Sequence, residues 1–168
     1  KDFCKEKKIA SIGLSDTSNL CGALEFSENI SKVGTQPIIG TQINFKFEDT
    51  VGLLPLFALN EKGYKKIIHL SSKSYLENKS LSEPHLNIKE LYKDIDGLSL
   101  FSGTSHGFFG KLFESGRFDE ITKIYEKLSS TFFDRFYLEI QRHGDQNEIS
   151  FEKYNLKQSS ALKIPIIA

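Results

Sequence analysis

The sequence predicts an α/β protein built on a parallel sheet or barrel. Short apolar runs such as "IASIGL" and "GLSLFSG" have the continuous hydrophobic character of strands buried on both faces. Segments with helical spacing separate most of these runs, as in chains where helices connect parallel strands. The 168 residues are 39% hydrophobic and 26% charged, which is ordinary globular composition. We therefore expect residues 1–168 to form a single domain or part of one.

The first part of the chain predicts two helices and two strands. "KDFCKEKK" is a short amphipathic helix, and "IASIGL" is the first strand. Asn19 is the expected N-cap of the next helix, which Gly34 ends. The alternating run "PIIGTQINFKF" predicts the second strand.

The middle of the chain is less regular. "GLLPLFAL" predicts a strand that Pro55 weakens, because proline cannot donate a hydrogen bond to a ladder. Asn60 can cap a helix over "NEKGYKKIIHLSSKSYLE". The polar run from Asn78 to Asn87, which includes Ser80 and Ser82, predicts a loop.

The last part repeats the alternation of strands and helices. Its elements, in order, are the strand "GLSLFSG", the helices "HGFFGKLFESG" and "RFDEITKIYEKLSSTF", the strand "RFYLEIQR", a helix from Ser150 to Leu162 and the strand "IPIIA". Such an order favours right-handed crossovers, with ligands at the carboxyl ends of the strands.

Charge and cysteine content exclude several classes of protein. The 22 basic and 22 acidic residues cancel, so electrostatics indicates neither a nucleic-acid nor a membrane surface. Cys4 and Cys21 fit neither a disulfide framework nor a zinc site, which favours the cytoplasm. No apolar run approaches the roughly 18 residues of a membrane span. Because methionine is absent even at position 1, we expect a segment of a longer protein.

Few residues near the predicted strand ends can perform chemistry. They are Asp16, Thr17, Gln42, Thr104, His106, Arg142 and His143. A hydrolytic metal centre needs about three or four protein ligands for each ion. This set supplies too few histidines and carboxylates, so the residues alone do not predict an intact centre.

Two interpretations remain open for the polar residues at these ends. His143 is either a loop histidine bonded to backbone or a surviving metal ligand. Asp16 either binds a metal or accepts backbone amides that fix the turn. His106 lies beside a helix start, which favours a structural role.

A group of lysines interspersed with tyrosines permits two interpretations as well. The group consists of Lys65, Lys66, Lys73 and Lys79, with Tyr64 and Tyr75 among them. Such residues can track phosphates and stack on bases. A solvated helix face is the commoner explanation, and the zero net charge favours it.

Six stretches in one order carry a family resemblance. They are "IGLSDTSNLCGALEF", "QPIIGTQINF", "LPLFALNEKGYKKIIHLSSKSYLE", "GLSLFSG", "FYLEIQRHG" and "KIPIIA". Together they resemble the N-terminal polymerase-and-histidinol-phosphatase (PHP) domain of bacterial DNA polymerase III alpha subunits, over essentially the whole chain. The resemblance implies a distorted, TIM-barrel-like (β/α)7 barrel, whose first and last strands are expected to lie outside residues 1–168.

The resemblance also implies an altered metal site. Family members with an intact site bind a cluster of metal ions and hydrolyse phosphoesters. They carry Asp-His where this chain has Asp16-Thr17, an acid where it has Gln42, and a cysteine where it has Thr104, whereas His143 keeps the expected ligand type. Hydroxyl and amide groups are weak ligands. The expectation is a site without catalytic residues or metal, in which only His143 and Asp16 could remain as ligands.

The function implied is that of one part of a replicative DNA polymerase. Polymerisation on DNA would use Mg²⁺ in a palm domain outside this chain, and no cofactor is expected within it. The PHP segment would be an inactive scaffold that contacts the rest of the alpha subunit and docks the proofreading exonuclease subunit. Two alternatives are a metal-dependent phosphoesterase or 3′–5′ exonuclease with a reduced site, and a separate cytosolic protein that shares only the fold.

Overall fold

A computed structural model describes residues 1–78 and 83–168. Its strands are β1 (Ser11–Thr17), β2 (Gln36–Phe47), β3 (Thr50–Ala58), β4 (Leu86–Asn87), β5 (Leu98–Phe101), β6 (Phe136–Glu139) and β7 (Ile166–Ile167). Its helices are α1 (Asp2–Lys7), α2 (Ala23–Ser31), α3 (Glu61–Leu76), α4 (Phe108–Glu114), α5 (Phe118–Phe132) and α6 (Gln146–Leu162), with 3₁₀ turns at Ile88–Tyr92 and Phe133–Arg135. The strands and helices therefore form the expected α/β arrangement.

The seven strands form one curled sheet in the order β1-β2-β3-β5-β6-β7, with β4 paired to β2. The expectation of a parallel sheet is wrong for β3, which runs antiparallel to both β2 and β5. Phe47 and Thr50 are paired, so only Glu48 and Asp49 connect the two strands. Two residues can close a hairpin, whereas a parallel crossover needs a dozen or more. The sheet matches a partial barrel with one reversed strand.

The core lies between the convex face of the sheet and the helices. Alternate side chains of β2, β3, β5 and β6 are fully buried there, including Ile43, Leu54, Leu56, Leu100 and Phe136. The helices contribute Ile67, Phe108, Phe109 and Tyr125 to the same cluster. Because successive strand residues point to opposite faces, the intervening positions face the concave side.

Aromatic rings line part of the concave face. The ring centroids of Phe57 and Phe101 lie 4.7 Å apart, and those of Phe101 and Tyr137 lie 5.5 Å apart. A Cβ at Gly40 would come within 2.5 Å of the Phe57 ring, so only glycine leaves room for it. These residues occupy the sheet interior beside the end at which β1, β5 and β6 finish, which we call the mouth.

Among the predicted helix starts, Asn60 was correct, whereas Asn19 and Ser150 were wrong. Asn60 caps α3, since its side chain accepts a hydrogen bond from Gly63 N at 3.0 Å. Asn19 instead accepts from Cys21 N within a turn, and α2 begins later, after Gly22. Helix α6 begins at Gln146 rather than Ser150, because Asp145 and Glu148 form a reciprocal capping box.

The predicted loop from Asn78 to Asn87 is only partly described. Leu86 and Asn87 form β4 against Phe45 and Lys46 of β2, which corrects that end of the loop. Ser80 and Ser82 lie outside the described residues.

Candidate functional site: the barrel mouth

Thr17 and Gln42 lie side by side at the mouth. They are paired in the parallel register of β1 and β2, so both side chains project from the concave face. Thr17 is exposed, and the amide Nε2 of Gln42 donates to the Ser15 carbonyl at 3.3 Å. The structure therefore brings together two of the predicted ligand positions, both occupied by neutral groups.

Asp16 lies on the other face of β1. Because side chains alternate between the two faces of β1, the Asp16 carboxylate points towards α2, on the face opposite the Thr17 side chain. A Cβ at Gly22 would lie 2.8 Å from Asp16 Oδ2, and Asp16 lines a cavity of about 390 Å³ with Glu25 and Phe26. The turn is fixed by Asn19, whose side chain bonds to Thr17 O and Cys21 N, and not by the Asp16 carboxylate.

Thr104 belongs to the loop after β5. Its Oγ1 accepts a hydrogen bond from His106 N at 3.1 Å, which is the geometry of a turn. The His106 imidazole contacts the N-cap of α6, with Nε2 2.7 Å from Asp145 Oδ2. This contact joins the loop after β5 to the start of α6, in agreement with a structural role for His106.

His143 is held at the start of α6 by Glu148. Its backbone N–H donates to Glu148 Oε2 at 2.8 Å, and its Nδ1 lies 3.2 Å from Glu148 Oε1. The imidazole is largely exposed, whereas the Glu148 side chain is 12% exposed and also closes the capping box. No hydrogen bond or ion pair within residues 1–78 and 83–168 connects His143 or Thr104 to the Thr17–Gln42 pair.

The acids around the mouth are engaged with protein donors. Glu152 accepts two hydrogen bonds from Arg142, at 3.0 and 2.6 Å, and these lower the pKa of its carboxyl. Hydrogen bonds from the backbone N–H of Asn147 and from the His106 side chain lower the pKa of Asp145. Burial opposes ionisation of Glu148, but hydrogen bonds from His143, Asp145 and Gly144 together outweigh it and lower the pKa of Glu148. All three carboxylates are thus stabilised as anions by the chain itself.

Glu139 is a mouth residue that inspection of the sequence missed. It is the last residue of β6 and alternates with Tyr137, which places it on the concave face. Its Oε1 accepts from the Gln141 amide at 2.5 Å, while Oε2 is buried without a hydrogen-bond partner. Burial raises the pKa of this carboxyl, and the Gln141 amide partly opposes the rise. The signal available was a carboxylate within the predicted strand "RFYLEIQR".

Three members of the lysine group, Lys65, Lys66 and Lys73, lie on α3, and their surroundings favour the ordinary interpretation. Lys65 pairs with Glu61 at 2.6 Å, and Lys73 pairs with Glu90 at 2.8 Å and Glu77 at 3.6 Å. Lys79 lies outside the described residues. Paired lysines on a helix are typical of a solvated face.

The residues present do not fit a metal cluster. Within the described part of the chain, no three histidine, cysteine, aspartate or glutamate side chains converge closely enough to hold an ion. A catalytic divalent ion needs about three protein ligands and an open position for water. The mouth combines the neutral Thr17 and Gln42 with carboxylates that are bonded fully or, in Glu139, partly to protein donors, so it offers no such set.

The model of the family described as "PHP domain" matches residues 2–143, most of the chain. The chain belongs to the PHP domain family. The matched region includes Thr17, Gln42 and Thr104, and it ends at His143.

Relatives of this PHP domain are replication proteins. It is 34% identical to the DNA polymerase III subunit alpha of Caulobacter vibrioides and 34% identical to that of Rickettsia bellii, over 97% and 99% of this chain. It is 31% identical to the Vibrio cholerae subunit over 96% of this chain. The PHP domain spans only 14–15% of the length of these relatives.

A solved structure has the same fold. A protein from Bifidobacterium adolescentis, described as a metal-dependent phosphoesterase, matches with a TM-score of 0.50. The match covers 98% of this chain and 78% of that chain at 11% identity, so it supports the barrel fold and nothing finer. In the described residues, no helix has the length and apolar character to cross a membrane.

Proposed function

We propose that this PHP domain is a metal-free scaffold at the N-terminal part of a DNA polymerase III alpha subunit, where it docks the proofreading exonuclease. The parent chain would copy DNA in the cytoplasm, with Mg²⁺ held by a palm domain elsewhere in the polypeptide. The alignments to alpha subunits over 96–99% of this chain support the polymerase context. The proposal assigns no catalytic residue to the domain.

The Thr17–Gln42 pair is the observation that carries the metal-free assignment. Their register places both side chains on the concave face, where ligands of a mouth-bound ion would have to project. A hydroxyl and an amide present only weak dipoles to a divalent cation, and the Gln42 amide is bonded to the backbone of β1. This part of the mouth therefore supplies no charge to offset the desolvation of an ion.

The arrangement of the remaining ligand types supports the same assignment. His143 faces Glu148, and Glu148 is bonded to three backbone amides at the start of α6. Recruiting that carboxylate to an ion would break the helix cap. Asp16 lies on the opposite face of β1, which separates it from the concave residues. The rival assignment, a phosphoesterase using His143 and Asp16, would need those two side chains to converge.

The buried core explains how the barrel would stay folded without bound metal. The core between sheet and helices contains fully buried residues such as Leu54, Leu100 and Phe136, none of which depends on the mouth. Packing of this kind keeps a domain folded when surface ligands change. A stable barrel that no longer needs its mouth for chemistry is suited to binding a partner.

Restoring the family ligand types tests the metal-free assignment. In the full-length alpha subunit, we expect the combined substitutions Thr17→His, Gln42→Glu and Thr104→Cys to raise Zn²⁺ or Mn²⁺ affinity at least about tenfold, the scale on which a metal site responds to its ligand environment. Titration calorimetry gives the affinity. Ser130→His, on the exposed side of α5, adds a histidine far from the mouth and should change nothing.

Two results of this experiment would contradict the proposal. If it binds no more metal than the wild-type subunit, the three positions do not converge and the assignment of a neutralised site is wrong. Tight stoichiometric binding by the wild type would support the phosphoesterase alternative instead.

A further inference from the structure

We draw no further inference here: the strongest candidate, the largely apolar groove of about 440 Å³ that Pro37, Ile39, Leu59 and Tyr64 line at the end of the sheet opposite the mouth, carries nothing because no feature of the described residues shows what covers it.

Discussion

Gln42 and Glu139 illustrate how single side chains set the chemistry of the mouth. Both project from the concave face, yet Gln42 is neutral and bonded to the backbone, whereas Glu139 has one buried oxygen without a partner. A buried anion without an ion or a full set of donors is destabilising. Burial raises the pKa of Glu139, because the anion loses hydration that no donor to Oε2 replaces.

Stability should fall as pH rises because of Glu139. A carboxyl whose folded pKa lies above its unfolded value contributes fully below about pH 4.5, and this contribution is lost as pH rises through the folded pKa. We expect Glu139→Gln to be the more stable protein at pH 7, by about 1 kcal/mol, and to lose that advantage near pH 4. Denaturant unfolding over this pH range measures it.

An exposed carboxylate provides the control for Glu139. Glu126 lies on the solvent side of α5, and Glu126→Gln should leave the pH profile of stability unchanged. Equal effects of the two substitutions, or a Glu139→Gln advantage that grows towards acid pH, would contradict the assignment of a destabilising buried carboxyl.

At the scale of strands and helices, the sequence predicted what depends on local patterns. The apolar runs located the main strands, and Asn60 located the start of α3 because an N-cap acts through the next turn. The reversal of β3 escaped prediction, since strand direction depends on the Glu48–Asp49 turn and on pairing across the sheet. The start of α6 was available in the spacing of Asp145 and Glu148 but was overlooked.

The mouth was predictable in composition but not in geometry. The sequence and the family resemblance identified Thr17, Gln42, Thr104 and His143 as altered or retained ligand positions, and that identification stays a prediction. Which face of β1 carries Asp16 depends on register with β2. The pairing of His143 with Glu148 depends on the backbone conformation of the residues before α6, so neither could be fixed from spacing alone.

The close contact between α3 and the loop before β5 provides a test of packing. A Cβ at Gly63 would lie 1.8 Å from the Gly97 carbonyl oxygen, which belongs to rigid backbone. We expect Gly63→Ala to destabilise the protein by about 2–3 kcal/mol, as overpacking does, although this change within a helix ordinarily stabilises. Thermal or denaturant unfolding gives the value.

Ser72→Ala is the matched control for Gly63→Ala. Ser72 is exposed on the same helix, and alanine there should be neutral or slightly stabilising. If Gly63→Ala were as stable as Ser72→Ala, α3 would not pack as closely on Gly97 as the structure places it.

For the whole molecule, the barrel is interpreted as a platform within a much longer polypeptide. The domain spans 14–15% of related alpha subunits and retains a continuous buried core. Several large apolar side chains are nevertheless exposed, including Leu24, Tyr75, Leu76 and Phe133. Exposed apolar side chains scattered singly in this way are normal on a protein surface.

Docking of the exonuclease should appear as protection of this domain. We expect hydrogen exchange of the full-length alpha subunit to slow in peptides from residues 1–168 when its exonuclease subunit is added, because an interface excludes solvent from backbone amides. An unrelated protein of similar size is the control. Protection confined to the remainder of the alpha subunit would overturn the docking role.

The metal content of the purified full-length alpha subunit tests the central claim most directly. After equilibration with Zn²⁺ or Mn²⁺ and removal of free ions, we predict by elemental mass spectrometry far less than one ion per molecule, with no change in His143→Ala. One or more tightly bound ions per molecule that His143→Ala releases would contradict a mouth closed to metal.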